Sequence, residues 1–106
     1  MKRGLLYVES LPSSPERLEE YHTWYDQVHL GQVLGLDGIV AARRLAPVGE
    51  EGPYVALYEL EAEDLGAVIN DLMTAATDGT LDMSEALQLD PMPTIRVLET
   101  ITDRPT

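Results

Sequence analysis

The sequence predicts an α+β fold in which two amphipathic helices cover one face of an antiparallel sheet. Two observations favour it: four short apolar runs have the composition of strands, and two segments repeat apolar residues every three or four positions, as a helix does. The chain has 106 residues, of which 44% are hydrophobic. A chain of this size builds one hydrophobic core, so we expect a single domain over residues 1–106.

The first predicted strand, residues 5–9, is closed by a cluster of Ser and Pro turn residues. Ser14 has the position of a helix N-cap, and Pro15 occupies the first helical position, where its missing N–H costs nothing. The apolar spacing then predicts one amphipathic helix that lasts to about residue 34. Gly35 and Gly38 are expected to end it.

The remaining strands and the second helix are predicted from the same kinds of sequence pattern. Three further apolar runs predict strands: residues 39–45, 54–60 and 94–101. A second helix is expected to begin at Glu63 and Asp64 and to end near Ala76, and residues 84–87 are expected to add a helical turn. The resulting order, β, α, β, β, α, β, is the ferredoxin-like arrangement: an antiparallel four-stranded sheet with two helices on one face.

Several of these strands carry apolar residues on both faces, although the helices cover only one. Soluble monomers rarely leave a large apolar surface exposed. A symmetric contact between two sheets would bury it, so we expect a homodimer that pairs through the sheet face.

Charge and composition exclude several classes of function. Nineteen Asp and Glu against seven Lys and Arg give a net charge of -12, so nucleic acid and anionic membranes are unfavourable partners. No apolar stretch approaches the roughly 20 residues that cross a bilayer, and we expect a soluble, cytoplasmic protein. Without Cys there is no thiol nucleophile, and no glycine-rich phosphate loop indicates a nucleotide cofactor. Two His and one Asp without a second ligand cluster do not predict a metal site.

The chemistry is concentrated in the first helix, where residues 21–30 contain both histidines and the only tryptophan. His22, Asp26 and His29 are four and three residues apart, which places them on one helical stripe. We expect Asp26 to orient His29, and His29 to act near neutral pH as a general acid or base. Trp24 and Tyr25 would shape an apolar wall for a substrate. The alternative is that these aromatic residues are core and that the Asp–His pair is a surface interaction.

Further candidate residues lie on the strands and before the last one: Tyr7, Tyr58, Arg43, Arg44 and Met92. Tyr58 lies in the middle of a strand, where its phenol could bind a substrate oxygen. Arg43 and Arg44 point to opposite faces, so one of them could anchor an anion in a cavity. Met92 would suit an adaptable apolar wall. For Tyr58 the alternative role is packing in the dimer interface.

The segment Trp24-Tyr25-Asp26-Gln27-Val28-His29, followed by Gly35-Leu36-Asp37-Gly38 and the basic strand that ends at Arg43-Arg44-Leu45, resembles the dimeric α/β-barrel superfamily, especially its EthD-like branch. Leu36-Asp37-Gly38 stands where that family commonly has Val-Pro-Gly. The resemblance implies a dimeric barrel in which His29 lines a cavity between helices and sheet, with Asp26 and Trp24 near it. Relatives include accessory proteins, lactone isomerases, polyketide cyclases and cofactor-free monooxygenases.

Together these observations lead to a hypothesis of a small homodimeric, cofactor-independent lyase, isomerase or cyclase. Its substrate would be a small cyclic, aromatic or polyketide-like molecule. His29 would transfer the proton, Asp26 would orient it, and Tyr58 or Tyr7 would hydrogen-bond a substrate oxygen. A non-catalytic protein that binds a small hydrophobic ligand is the alternative, and a cofactor-free monooxygenase is a third possibility.

Overall fold

Four strands form one antiparallel sheet in the computed structural model, which describes all 106 residues. The strands are β1 (Lys2–Ser10), β2 (Ile39–Leu45), β3 (Tyr54–Ala62) and β4 (Thr94–Glu99), and their order across the sheet is β2-β3-β1-β4. This confirms the predicted α+β class with a four-stranded antiparallel sheet, and the strand order is compatible with a ferredoxin-like fold.

The first helix is a continuous helical segment, residues 15–34, built from four pieces. It begins with a 3₁₀ turn (Pro15–Arg17), continues as α1 (Leu18–Trp24), widens into a π-helical turn (Tyr25–His29) and ends as α2 (Leu30–Leu34). Ser14 precedes it with an extended backbone but makes no capping hydrogen bond through its side chain, unlike the predicted cap.

The second helix, α3 (Leu65–Thr77), is capped by Asp64, whose carboxylate accepts hydrogen bonds from the backbone N–H groups of Gly66 and Ala67. It packs against β1, β3 and β4. None of the helices has the length and apolar composition that crossing a bilayer requires.

The two faces of the sheet differ in what covers them. Leu6, Ala56, Tyr58 and Leu60 point toward the helices and are almost completely buried. Because side chains alternate along a strand, their neighbours Leu5, Tyr7 and Leu57 point to the opposite face, which no helix covers, and remain partly exposed.

Some predicted boundaries were wrong. β1 reaches from Lys2 to Ser10 because it is a central strand, paired along its length with β3 and along most of it with β4. β4 ends at Glu99, two residues before the predicted end. Residues 84–87 form a single turn, in which the Leu87 N–H donates to the Ser84 carbonyl at 3.2 Å, rather than a longer helix. Leu87 also bridges to Pro12, and the Gln88 N–H donates to the Leu11 carbonyl at 3.0 Å. These backbone contacts hold the connector before β4 against the chain that follows β1.

Candidate active site

A cavity of about 410 Å³ lies between the sheet, the first helix, α3 and the connector before β4. Thirteen of its eighteen lining residues are hydrophobic, and none is Lys, Arg, Asp or Glu. A mainly apolar cavity of several hundred Å³ with a few polar groups is typical of a site for a small molecule. The cavity is therefore the candidate functional site.

His29 and Tyr58 both line this cavity. Their side chains are only 9% and 1% exposed, yet His29 Nδ1 and the Tyr58 hydroxyl have no hydrogen-bond partner. The large majority of buried polar atoms in proteins are paired, and leaving one unpaired costs free energy. Two cavity-lining residues with unpaired polar atoms are therefore the strongest indication of a ligand site in this molecule.

The hydroxyl groups of Ser10, Thr77 and Ser84, which also line the cavity, already have partners. The hydroxyls of Ser10 and Tyr21 are hydrogen-bonded at 2.7 Å. Thr77 Oγ1 donates to the Met73 carbonyl at 3.1 Å, and Ser84 Oγ accepts the Ala86 N–H at 3.0 Å. These three hydroxyls are hydrogen-bonded within the protein, whereas the His29 imidazole and the Tyr58 phenol each have a buried polar atom without a partner.

The π-helical turn positions the His29 ring. Trp24, five residues earlier, stacks on the imidazole with ring centroids 4.4 Å apart, and Tyr25 meets it edge-on at 5.0 Å. Trp24 is itself held, because its Nε1 donates to the Asp82 carbonyl at 2.7 Å. Trp24 thus supports His29 from the side and does not line the cavity, whereas Tyr25 and Met92 do.

Burial determines the charge of both polar groups. It lowers the pKa of His29 to about 4, so the imidazole is uncharged at neutral pH. It raises the pKa of Tyr25 to about 12 and the pKa of Tyr58 further still, so both phenols keep their protons. Burial of His29 therefore contradicts the expectation of a histidine that titrates near neutrality.

Asp26 does not orient His29. Its carboxylate is exposed, and Oδ1 accepts a hydrogen bond from Arg44 at 2.9 Å. Arg44 also contacts His22 Nδ1 at 3.0 Å. The predicted Asp26–His29 pair assumed α-helical geometry, but a π-helical turn holds more residues, so positions three apart no longer share a face.

The two arginines lie on opposite faces, and the structure shows which is which. Arg44 faces the first helix, with its guanidinium 4.5 Å from the centroid of the Tyr25 ring. Arg43 lies on the uncovered sheet face, 4.0 Å from Glu59. A β-bulge between Ile39 and Ala41 shifts the alternation by one residue, which is why Arg43 points away from the cavity.

Tyr7 also lies on the uncovered face, where its hydroxyl donates to Glu9 at 2.8 Å. The expectation that Tyr7 and Arg43 line the cavity is therefore wrong.

Sequence reasoning missed several lining residues. Val8 and Ser10 follow Leu6 on the inward face of β1, so the period-two alternation of a strand could have identified them. Met73 and Leu89 had no such signal. Together with Met83 and Met92 they form an exposed apolar rim around the cavity.

Comparison of the chain with protein-family models, with curated proteins and with solved structures finds no match. Within the structure, no three potential metal ligands of the His, Asp or Glu type come together.

Proposed function

We propose that the protein is a small homodimeric, cytoplasmic enzyme of the lyase, isomerase or cyclase type that needs no cofactor. Its substrate would be a small cyclic, aromatic or polyketide-like molecule. One observation carries the proposal: His29 and Tyr58 line the same apolar cavity, and each has a buried polar atom without a partner, His29 Nδ1 and the Tyr58 hydroxyl.

These two groups are suited to proton transfer next to a carbonyl. In the proposed step, the neutral imidazole of His29 takes a proton from a carbon beside the substrate carbonyl, and the C–H electrons form an enolate. The Tyr58 O–H donates a hydrogen bond to the enolate oxygen, where the negative charge develops. Return of the proton from His29 to a different atom of the substrate completes an isomerisation and regenerates the imidazole.

The homodimer is part of this proposal. The uncovered sheet face presents Leu5, Tyr7 and Leu57 in its centre and the exposed Leu45 and Leu98 on its outer strands. Soluble proteins rarely leave such a surface in water, and a second copy of the same face would bury it symmetrically. The resemblance to the EthD-like branch of the dimeric α/β-barrel superfamily supports the same assembly.

Sedimentation equilibrium at micromolar concentration tests the assembly. We expect a dimeric mass for the natural protein and a monomeric mass for Leu57→Arg, which puts a charge at the centre of the face. The matched control is Gln27→Arg, a change at an exposed position of the first helix, which should remain dimeric. A monomeric mass for the natural protein would contradict the proposed assembly.

Exchange of carbon-bound hydrogen tests the chemistry without knowledge of the natural substrate. β-Tetralone is an uncharged two-ring ketone whose acidic C–H groups exchange with deuterium from D₂O, which proton NMR follows directly. We expect the protein to accelerate this exchange and His29→Ala to lose about 10²- to 10⁴-fold of the acceleration, the usual contribution of one general base. Tyr58→Phe should also slow it, because the enolate oxygen loses its donor.

His22→Ala is the matched control, since His22 lies on the same helix but outside the cavity. The His22→Ala variant should accelerate hydrogen exchange in β-tetralone as much as the natural protein does. Equal rates for the natural protein and His29→Ala would contradict the catalytic role of His29.

A ligand-binding protein without catalysis is the second candidate, and the low pKa of His29 favours it, because a base with a pKa of about 4 is weak. Saturable binding of β-tetralone without accelerated exchange would support this second candidate over the enzyme.

A further inference from the structure

The charges around the cavity restrict what it can hold. No ionisable Lys, Arg, Asp or Glu side chain lines it. The guanidinium of Arg44 packs on the ring of Tyr25, a lining residue, but it is already paired with Asp26 at 2.9 Å. An anion in the cavity would lose its hydration without gaining a counter-charge, which is strongly unfavourable. The net charge of -12 also opposes the approach of an anion.

The polar groups of the cavity indicate which hydrogen-bonding group a ligand needs. Burial raises the pKa of the Tyr58 phenol, so the phenol keeps its proton and is a hydrogen-bond donor, and its hydroxyl has no partner in the structure. A neutral imidazole has one ring nitrogen that accepts. A hydroxyl group on a ligand both accepts and donates a hydrogen bond, so its chemistry matches the Tyr58 donor as well as the acceptor nitrogen of the imidazole.

We infer that the cavity selects an uncharged apolar ligand that carries a hydroxyl group, such as a phenol, an enol or an alcohol, and that it excludes carboxylates and phosphates. This inference rests on the proposed function, since it takes the cavity to be the ligand site. It goes beyond that proposal by naming the charge and the polar group of the ligand. The enol form of a carbonyl substrate meets the same requirement.

Three probes that share one two-ring body test the inference: β-naphthol, its methyl ether and β-naphthoate. At about pH 7 the phenol is neutral and the carboxylate is ionised. Isothermal titration calorimetry should show β-naphthol binding at least about tenfold more tightly than β-naphthoate. The methyl ether, which accepts but cannot donate, should bind with intermediate affinity.

Tyr58→Phe should lower the affinity for β-naphthol by about tenfold, since it removes the hydrogen-bond donor and changes the side-chain volume little. Tyr54→Phe is the matched control: Tyr54 lies on the same strand and the same sheet face but outside the cavity, and its loss of a hydroxyl should leave the affinity unchanged. The three probes on the natural protein test the inference even if a variant fails to fold.

The outcomes separate the two proposals. Binding of β-naphthoate as tight as that of β-naphthol would overturn the inference on ligand charge and leave the cavity as the ligand site. Equal affinities for β-naphthol and its methyl ether would overturn the requirement for a hydroxyl donor. If neither the three probes nor β-tetralone bind, the proposed function fails and this inference fails with it.

Discussion

Burial of the His29 imidazole predicts a loss of stability in acid that one substitution should remove. In the folded protein, burial lowers the pKa of His29 to about 4, whereas an imidazole in an unfolded chain has a pKa of about 6.5. Between these values the unfolded chain binds a proton that the folded protein does not, so the free energy of unfolding falls as the pH falls. The contribution is fully present above about pH 6.5, and its loss reaches about 3 kcal/mol near pH 4.

Urea denaturation of the natural protein and of His29→Gln, at about pH 7 and about pH 4.5, measures this contribution. Circular dichroism follows the fold, and the fluorescence of Trp24, the only tryptophan, follows the site. The protein concentration is held constant, because a dimer would make stability depend on it. Between these two pH values we expect the natural protein to lose about 2 to 3 kcal/mol more of its free energy of unfolding than the variant loses.

His22→Gln is the matched histidine control. Burial and Arg44 lower the pKa of His22 as well, but this side chain is only half-buried and the Asp26 carboxylate opposes the shift. The control should therefore keep most of the natural loss in acid. An equal loss in His29→Gln and the natural protein would refute the argument that His29 is held uncharged by burial.

Three further substitutions test the packing around the site, each by urea denaturation at neutral pH. Arg44→Ala should lower the free energy of unfolding by about 2 kcal/mol, because it removes the stacking on Tyr25 and the bond to Asp26 together. An unchanged free energy of unfolding would show that these two contacts contribute nothing. Leu72→Ala should lower the free energy of unfolding by about 3 kcal/mol, since it removes a buried side chain of α3. Asp64→Ala should lower the free energy of unfolding by about 1 kcal/mol, because α3 loses its N-cap. An unchanged free energy of unfolding would show that the cap contributes nothing.

Local patterns were sufficient to predict the order of the elements. The apolar run at residues 54–60 predicted a strand, and it forms β3, which lies between β1 and β2 in the interior of the sheet. Its neighbours confirm this, since Tyr58 pairs with Leu6 on one side and Ala42 on the other. The extra length of β1 had no local signal: Lys2 and Arg3 are strand residues because β3 continues far enough to pair with them.

The orientation of side chains on β2 could not be predicted from alternation alone. With Ile39 buried against the helices, strict alternation would turn Arg43 toward the first helix and Arg44 away from it. The bulge after Ile39 reverses both, so that Arg44 contacts the first helix. A bulge depends on how two strands pair, and the sequence of one strand carries little information about it.

In the first helix, the π-helical turn explains which side-chain contacts the α-helical spacing could not predict. At 3.6 residues per turn, positions five apart point about 140° away from each other, so an α-helix would separate Trp24 from His29. A π-helical turn bonds each residue to the fifth one after it and brings such positions together, and here the two rings stack at 4.4 Å. The turn that breaks the expected Asp26–His29 pair is thus the same feature that holds the imidazole against Trp24 at the cavity.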